Sequence, residues 1–324
     1  MKDALSVNRL AWRLLEVIVR NPDFYKVKVQ KPRKGAIVID AGINAKGGFQ
    51  AGRLITEICM GGLGNARILC KEYGHLELPS IFVYTDHPSI ATLGSQFAGW
   101  NIKEKSFSAI GSGPARALAL KPPKIYEELR YKDTSDRAIL ILETEKPPPA
   151  ELMHRISKEC NVKPEKLAVI LTPTTSLAGA IQISGRVIET GIHKLRRAGL
   201  DPKTILHAWG CAPIPTIHPE FAKAMARTND AILYGGTSHF IVEFENLDKL
   251  LEIIQRAPSN ASKSYGKPFI EIFEEAHNDF YKIDADLFAP AIITITDTKT
   301  GKTFKNGEIN VEMLKKSFEI CEQT

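Results

Sequence analysis

The feature that most limits how this chain can fold is its rhythm. Short apolar runs of strand length alternate with stretches of helical spacing from one end to the other. Residues 7–19 carry Val7, Leu10, Ala11, Leu14, Leu15 and Ile18 at helical spacing and stop at Asn21-Pro22. Residues 25–29 alternate, and after a turn at 31–35 the apolar run 36–40 completes a predicted hairpin. Residues 51–69 read as a helix interrupted or terminated by Gly61-Gly62-Leu63-Gly64. Strands are expected at 80–85, 138–143, 167–171, 204–209, 231–234 and 240–243. Helices are expected at 150–160, around Arg186, and at 221–227, 247–256, 267–277 and 311–318, with a hairpin at 291–302. This alternation gives a mixed α/β (α+β) fold. With 324 residues the chain has room for one large or two ordinary domains. Lys146-Pro147-Pro148-Pro149 is the linker candidate, placing N-terminal and C-terminal α/β domains at 1–148 and 149–324. The same run also serves to join a strand to the helix at 150–160.

Composition removes several classes. No window is apolar for the length a membrane helix needs. Residues 1–8 lack the apolar core and cleavage site of a signal peptide, so a cytoplasmic protein is expected. Five scattered cysteines without a Cys-x-x-Cys pair argue against a disulfide framework and a zinc ribbon. The net charge of +6 suits an anionic small molecule or a moderate nucleic-acid preference. The alternative to an enzyme is a non-catalytic anion- or RNA-binding basic protein. Dispersed charge and the missing aromatic–basic stripe argue against it, so neither nucleic acid nor membrane is expected as a partner.

Chemistry concentrates in Ser184-Gly185-Arg186-Val187-Ile188-Glu189-Thr190-Gly191-Ile192-His193-Lys194-Leu195. On a helix, Arg186, Glu189 and His193 share one face, and Val187, Ile188, Ile192 and Leu195 gather on the other. An acid beside a guanidinium, on an element anchored by its apolar back, can place one water against one carbon. By periodicity alone a solvated helix face with an Arg–Glu pair is the better reading. The loop Gly111-Ser112-Gly113-Pro114-Ala115-Arg116 runs into a helical segment, where free N–H groups and Arg116 could hold a phosphate or carboxylate, or form a plain tight turn. Gly61-Gly62 and Gly235-Gly236 are further places for backbone to approach a ligand, or simple turns. Asp86-His87-Pro88 either presents a catalytic histidine or packs it on its own turn. The eight histidines show no metal-binding spacing, so no metal is expected.

Six separated blocks carry a likeness. They are Asp40-Ala41-Gly42-Ile43-Asn44 with Ala51-Gly52-Arg53; Ile58 to Gly64; His87 to Gln96 with Ala98-Gly99-Trp100; Gly111 to Ala117; Ser184 to Gly191; and Gly307-Glu308-Ile309-Asn310. In these blocks the chain resembles the methenyltetrahydromethanopterin cyclohydrolases of one-carbon metabolism. The resemblance implies addition of water to the methenyl carbon bridging N5 and N10 of a reduced pterin, reversibly giving the N5-formyl product. That carbon is already cationic, so the implied chemistry needs no metal or other cofactor, the pterin itself being the one-carbon carrier. Glu189 matches the family's catalytic glutamate, moving the proton in both steps, and Arg186 its partner, orienting it and favouring its charged form. Substrate binding falls to Gly61, Gly62, His87, Gln96, Phe97, Gly111, Ser112, Gly113 and Arg116, with Arg116 gripping the anionic tail. Where some members carry a lysine before Ala-Gly-Trp this chain has Phe97, which packs on the pterin or on a neighbour. The family likeness further implies a homotrimer of two-domain subunits with the pterin in a cleft between domains.

Overall fold

The computed structural model describes residues 5–321, so residues 1–4 of the opening stretch read above for a leader lie outside it. The described residues hold twelve strands. They are β1 (Lys28–Gln30), β2 (Ile37–Asp40), β3 (Gly64–Tyr73), β4 (Leu76–Thr85), β5 (Trp100–Glu104), β6 (Phe107–Ser112), β7 (Ala138–Glu143), β8 (Leu167–Leu171), β9 (Ile205–Pro213), β10 (Thr237–Val242), β11 (Ile292–Asp297) and β12 (Thr303–Gly307). They form two six-stranded mixed sheets, interspersed with helices. The chain divides into two compact units, the first Met1–Asn65 with Ser89–Gln182, the second Ala66–Pro88 with Ile183–Thr324. The break expected at 148/149 therefore falls inside the first unit. β7 and β8, on either side of it, are paired neighbours, and Pro147–Pro149 only leads from β7 into the helix Ala150–Glu159.

The first unit's sheet runs β1-β2-β8-β7-β6-β5, with β2, β8 and β7 mutually parallel. β8 is buried along its whole length and β7 along all but its last residue, as central parallel strands must be. Ile39, Ile141 and Ile170 pack on one face against Leu15 and Ile18 of the helix Val7–Arg20 and Ile55 and Ile58 of the helix Phe49–Cys59. Val38, Leu140 and Val169 pack on the other face against Leu152 and Ile156 of Ala150–Glu159. The expected hairpin is present as antiparallel β1 and β2. The helix read to residue 69 ends at Cys59: Gly61 and Gly62 take φ of +71° and +68°, and β3 begins at Gly64.

The second unit's sheet runs β12-β11-β10-β9-β4-β3. Residues 231–234, expected as a strand, end the helix Phe221–Gly235 instead. Their four apolar side chains are buried as a helix end, a pattern that a short apolar run cannot distinguish from a strand. The closing hairpin and the helix Val311–Phe318 stand as expected. No helix among the described residues is long and apolar enough to cross a membrane.

Candidate active site

The segment 184–195 turns sharply and becomes a helix. Arg186 N donates to Ile183 O at 2.9 Å, Arg186 caps the helix Val187–Arg197, and its carbonyl accepts from Thr190 N at 2.8 Å. Val187, Ile188, Ile192 and Leu195 are fully buried, and the helix lies on β9 and β10. Two glycines set that contact. A Cβ on Gly191 would stand 2.7 Å from Phe240 Cζ and 3.0 Å from Ser238 Oγ, and one on Gly210 would stand 2.8 Å from Val187 Cγ1. Lys194 ties the far end down, its buried ammonium donating to Asp286 O at 2.9 Å and pairing with Asp286 Oδ1 at 3.1 Å.

Arg186 and Glu189 are each only 7% exposed, so they are not a solvated surface pair. Arg186 Nη1 stands 3.9 Å from Glu189 Oε2. At that distance the two atoms form an ion pair rather than a tight hydrogen bond. Glu189 also sits in the first helical turn, where the helix dipole favours negative charge. One turn on, His193 is held low, to about 4, by burial and then by Arg196 and Arg197, and so is neutral at ordinary pH.

The remaining expected residues stand in several settings. His87 is exposed after β4, its N–H donating to Thr85 Oγ1 at 3.0 Å, next to an Asp86–His207 pair at 2.8 Å. Gly61 and Gly62 let protein approach closely on their Cα side: a Cβ on Gly61 would stand 2.6 Å from Val7 Cβ, and one on Gly62 2.9 Å from Leu10. Gln96 is fully buried in a π-helical turn, Thr92–Gln96, which the sequence did not reveal. Gly111 and Ser112 end β6, and Ser112 Oγ lies 3.6 Å from Cys59 Sγ. Gly113, at φ +96°, donates to Ser95 O at 2.9 Å.

Arg116 requires a correction. It is 0% exposed, with no surface to offer an anionic tail. Nε donates to Lys121 O at 2.8 Å, and Nη1 donates to Leu93 O at 3.2 Å and Ser95 O at 3.0 Å. Its guanidinium lies over the rings of Phe97 at 5.3 Å and Tyr126 at 5.7 Å, and Tyr126 Oη donates to Gly94 O at 2.9 Å. Arg116 thus clamps the π-helical turn, and the neighbour on which Phe97 packs is this guanidinium. Among the described residues no group of three or more His, Cys, Asp or Glu side chains is placed to hold a metal ion.

The fold and the shielded pair define a class: two-unit α/β proteins in which a buried acid stands beside an arginine at a helix N-terminus. Comparison with known sequences narrows it. Residues 6–318 match the family model described as Cyclohydrolase (MCH). The methenyltetrahydromethanopterin cyclohydrolase of Methanothermobacter marburgensis is 44% identical over 97% of this chain and 99% of its own. That of Methanocaldococcus jannaschii is 44% identical over 97% and 98%, and that of Methanococcoides burtonii 41% identical over 98% and 99%. The chain belongs to the Cyclohydrolase (MCH) family.

Proposed function

We propose that this protein is a hydrolase that adds water to the N5,N10-methenyl bridge of methenyltetrahydromethanopterin, giving the N5-formyl pterin. Family membership supports the reaction, and the buried Arg186–Glu189 pair is the observation that supports its mechanism. The substrate carbon is an amidinium-like cation, so a carboxylate attracts it before attack and takes a proton from the incoming water. The same Glu189 then returns a proton to departing N10. Arg186, paired with it, favours the charged acid and aims it. The pterin is both substrate and one-carbon carrier, and the chemistry calls on neither metal nor other cofactor. His87 is exposed and Phe97 half-buried, so each has surface to offer the substrate, while Gln96 and Ser112 are buried.

The runner-up, a basic nucleic-acid-binding protein, finds no support in the family or in the shielded acid. A cytoplasmic homotrimer is part of the same proposal. We assign self-association to the open face of the second sheet, where Tyr84, Trp209 and His239 stand in one cross-strand row and Trp209 is 39% exposed.

The test is bleaching of the methenyl chromophore by purified protein, with Glu189→Gln beside it. The parent should bleach, and the variant should lose about 10²–10⁴-fold in kcat while still binding. A variant turning over near the parent rate would remove Glu189 from the mechanism.

A further inference from the structure

The chemistry above leaves unused a carboxylate at the carboxyl ends of the first unit's central strands. β7 and β8 run parallel, with Leu142 opposite Leu171. From β7 the chain enters Ala150–Glu159, which packs through Leu152 and Ile156 on one face of the sheet. From β8 it enters the helix Leu177–Ser184, which packs through Ala178 on the other. The two connections part to opposite faces. This is the arrangement that leaves a ligand crevice at the strand ends of open α/β sheets.

Glu143, the half-buried last residue of β7, and Thr172, the first residue after β8, stand at that point. Strand alternation puts Glu143 on the face of Ile141, and Thr172 on the face of Ile170. Thr174 Oγ1 donates to Glu143 Oε1, fixing the carboxylate's direction. Thr172 is fully buried, yet its Oγ1 makes no hydrogen bond. Directly across from Glu143 on β6, Ile110 is 46% exposed, offering an apolar wall beside the acid.

A fixed carboxylate beside an exposed aliphatic wall suits a flat heterocycle whose edge presents two parallel N–H donors. We propose that Glu143, oriented by Thr174, binds the ring N–H and exocyclic amino group on the pyrimidine edge of the substrate's pterin, with the ring against Ile110. This rests on the pterin reading above and names the side chain that recognises the ring.

The test uses the full chain, Glu143→Gln and Thr174→Val. The probes are fluorescence titration with 6-methylpterin and with 6-methyllumazine, which has oxygen in place of the amino group, alongside chromophore-bleaching kinetics. The parent should bind the pterin at least about tenfold tighter than the lumazine. Glu143→Gln should abolish that preference and raise KM about ten- to a hundredfold with kcat within about threefold. Thr174→Val should shift both the same way, by less. If the parent bleaches substrate and Glu143→Gln leaves KM and the preference unchanged, the assignment falls while the reaction stands. If the parent discriminates the two rings through Glu143 but bleaches nothing, the reaction falls while the ring site stands. A parent that binds neither ring, or both equally, overturns the assignment, whatever the melting midpoints of the variants.

Discussion

Replacing Arg116 with alanine should cost stability, and leave ligand affinity nearly untouched. The side chain is sealed from solvent and donates three hydrogen bonds to the carbonyls of Leu93, Ser95 and Lys121, between two aromatic rings. Each buried acceptor stripped of its partner costs about 1–3 kcal/mol. Ser95 O retains the bond from Gly113 N, so its loss falls at the low end. The truncated side chain also leaves a void beneath Phe97 and Tyr126. Taking about 1–2 kcal/mol for each of the Leu93 and Lys121 carbonyls and about 1 kcal/mol for that of Ser95 gives about 3–5 kcal/mol before the void is counted. That is a large share of the ~5–15 kcal/mol that holds a domain folded. Melting followed by far-ultraviolet circular dichroism should drop by about 6–20 °C. Bleaching assays well below that midpoint should give KM within about threefold of the parent. Arg116→Lys should fall between, since an ammonium keeps the charge but lacks the planar fork. A variant that melts with the parent and shows only a raised KM would refute the clamp, returning Arg116 to the anionic tail.

Other changes probe other parts of the chain. Gly191→Val should lower kcat at least about tenfold by lifting the Glu189 helix from Phe240 and Ser238, measured against parent on folded protein; unchanged turnover would mean the close contact is not what positions the acid. Burial raises Asp230 to about 7, above its ordinary value, so the stability it contributes in the protonated form is present at low pH and lost as pH rises through 7. The melting difference between Asp230→Asn and parent should therefore move in the variant's favour between pH 4 and 8, and a constant difference would contradict the shift. Trp209→Asp should shift the protein to monomers in sedimentation; an unchanged assembly would place self-association elsewhere.

Much of the architecture was written in local pattern. The helix Val311–Phe318 and the closing hairpin announce themselves by spacing and by the Thr300-Gly301-Lys302 turn. Local pattern failed where burial is uniform or strands are polar. Residues 231–234 are apolar all round because the helix end they form is covered on every side. β5, with Asn101, Lys103 and Glu104, is half-solvated and reads as connection. The Arg186–Glu189 spacing pointed to the acid, but only packing against β9 and β10 distinguishes a shielded pair from a wet one. Arg116 shows the converse: beside glycines it reads as an anion grip, and nothing local reveals that carbonyls from 93, 95 and 121 converge on it. Glu143 ends an expected strand and gave no signal, since its meaning depends on where the chain goes after β7 and β8.

The β3–β4 ribbon joins a sheet whose other strands are made much later. Its first long-range partner is β9, with Ser80 opposite Pro213. At roughly 5–20 residues per second, a ribosome leaves the ribbon waiting about six to twenty-six seconds before that partner is made. Through that interval its backbone edges are open to any passing strand, and a separation this long slows closure even after release. Translation pace and chaperone supply, more than final stability, should therefore govern how much of this chain reaches its native form in a foreign host.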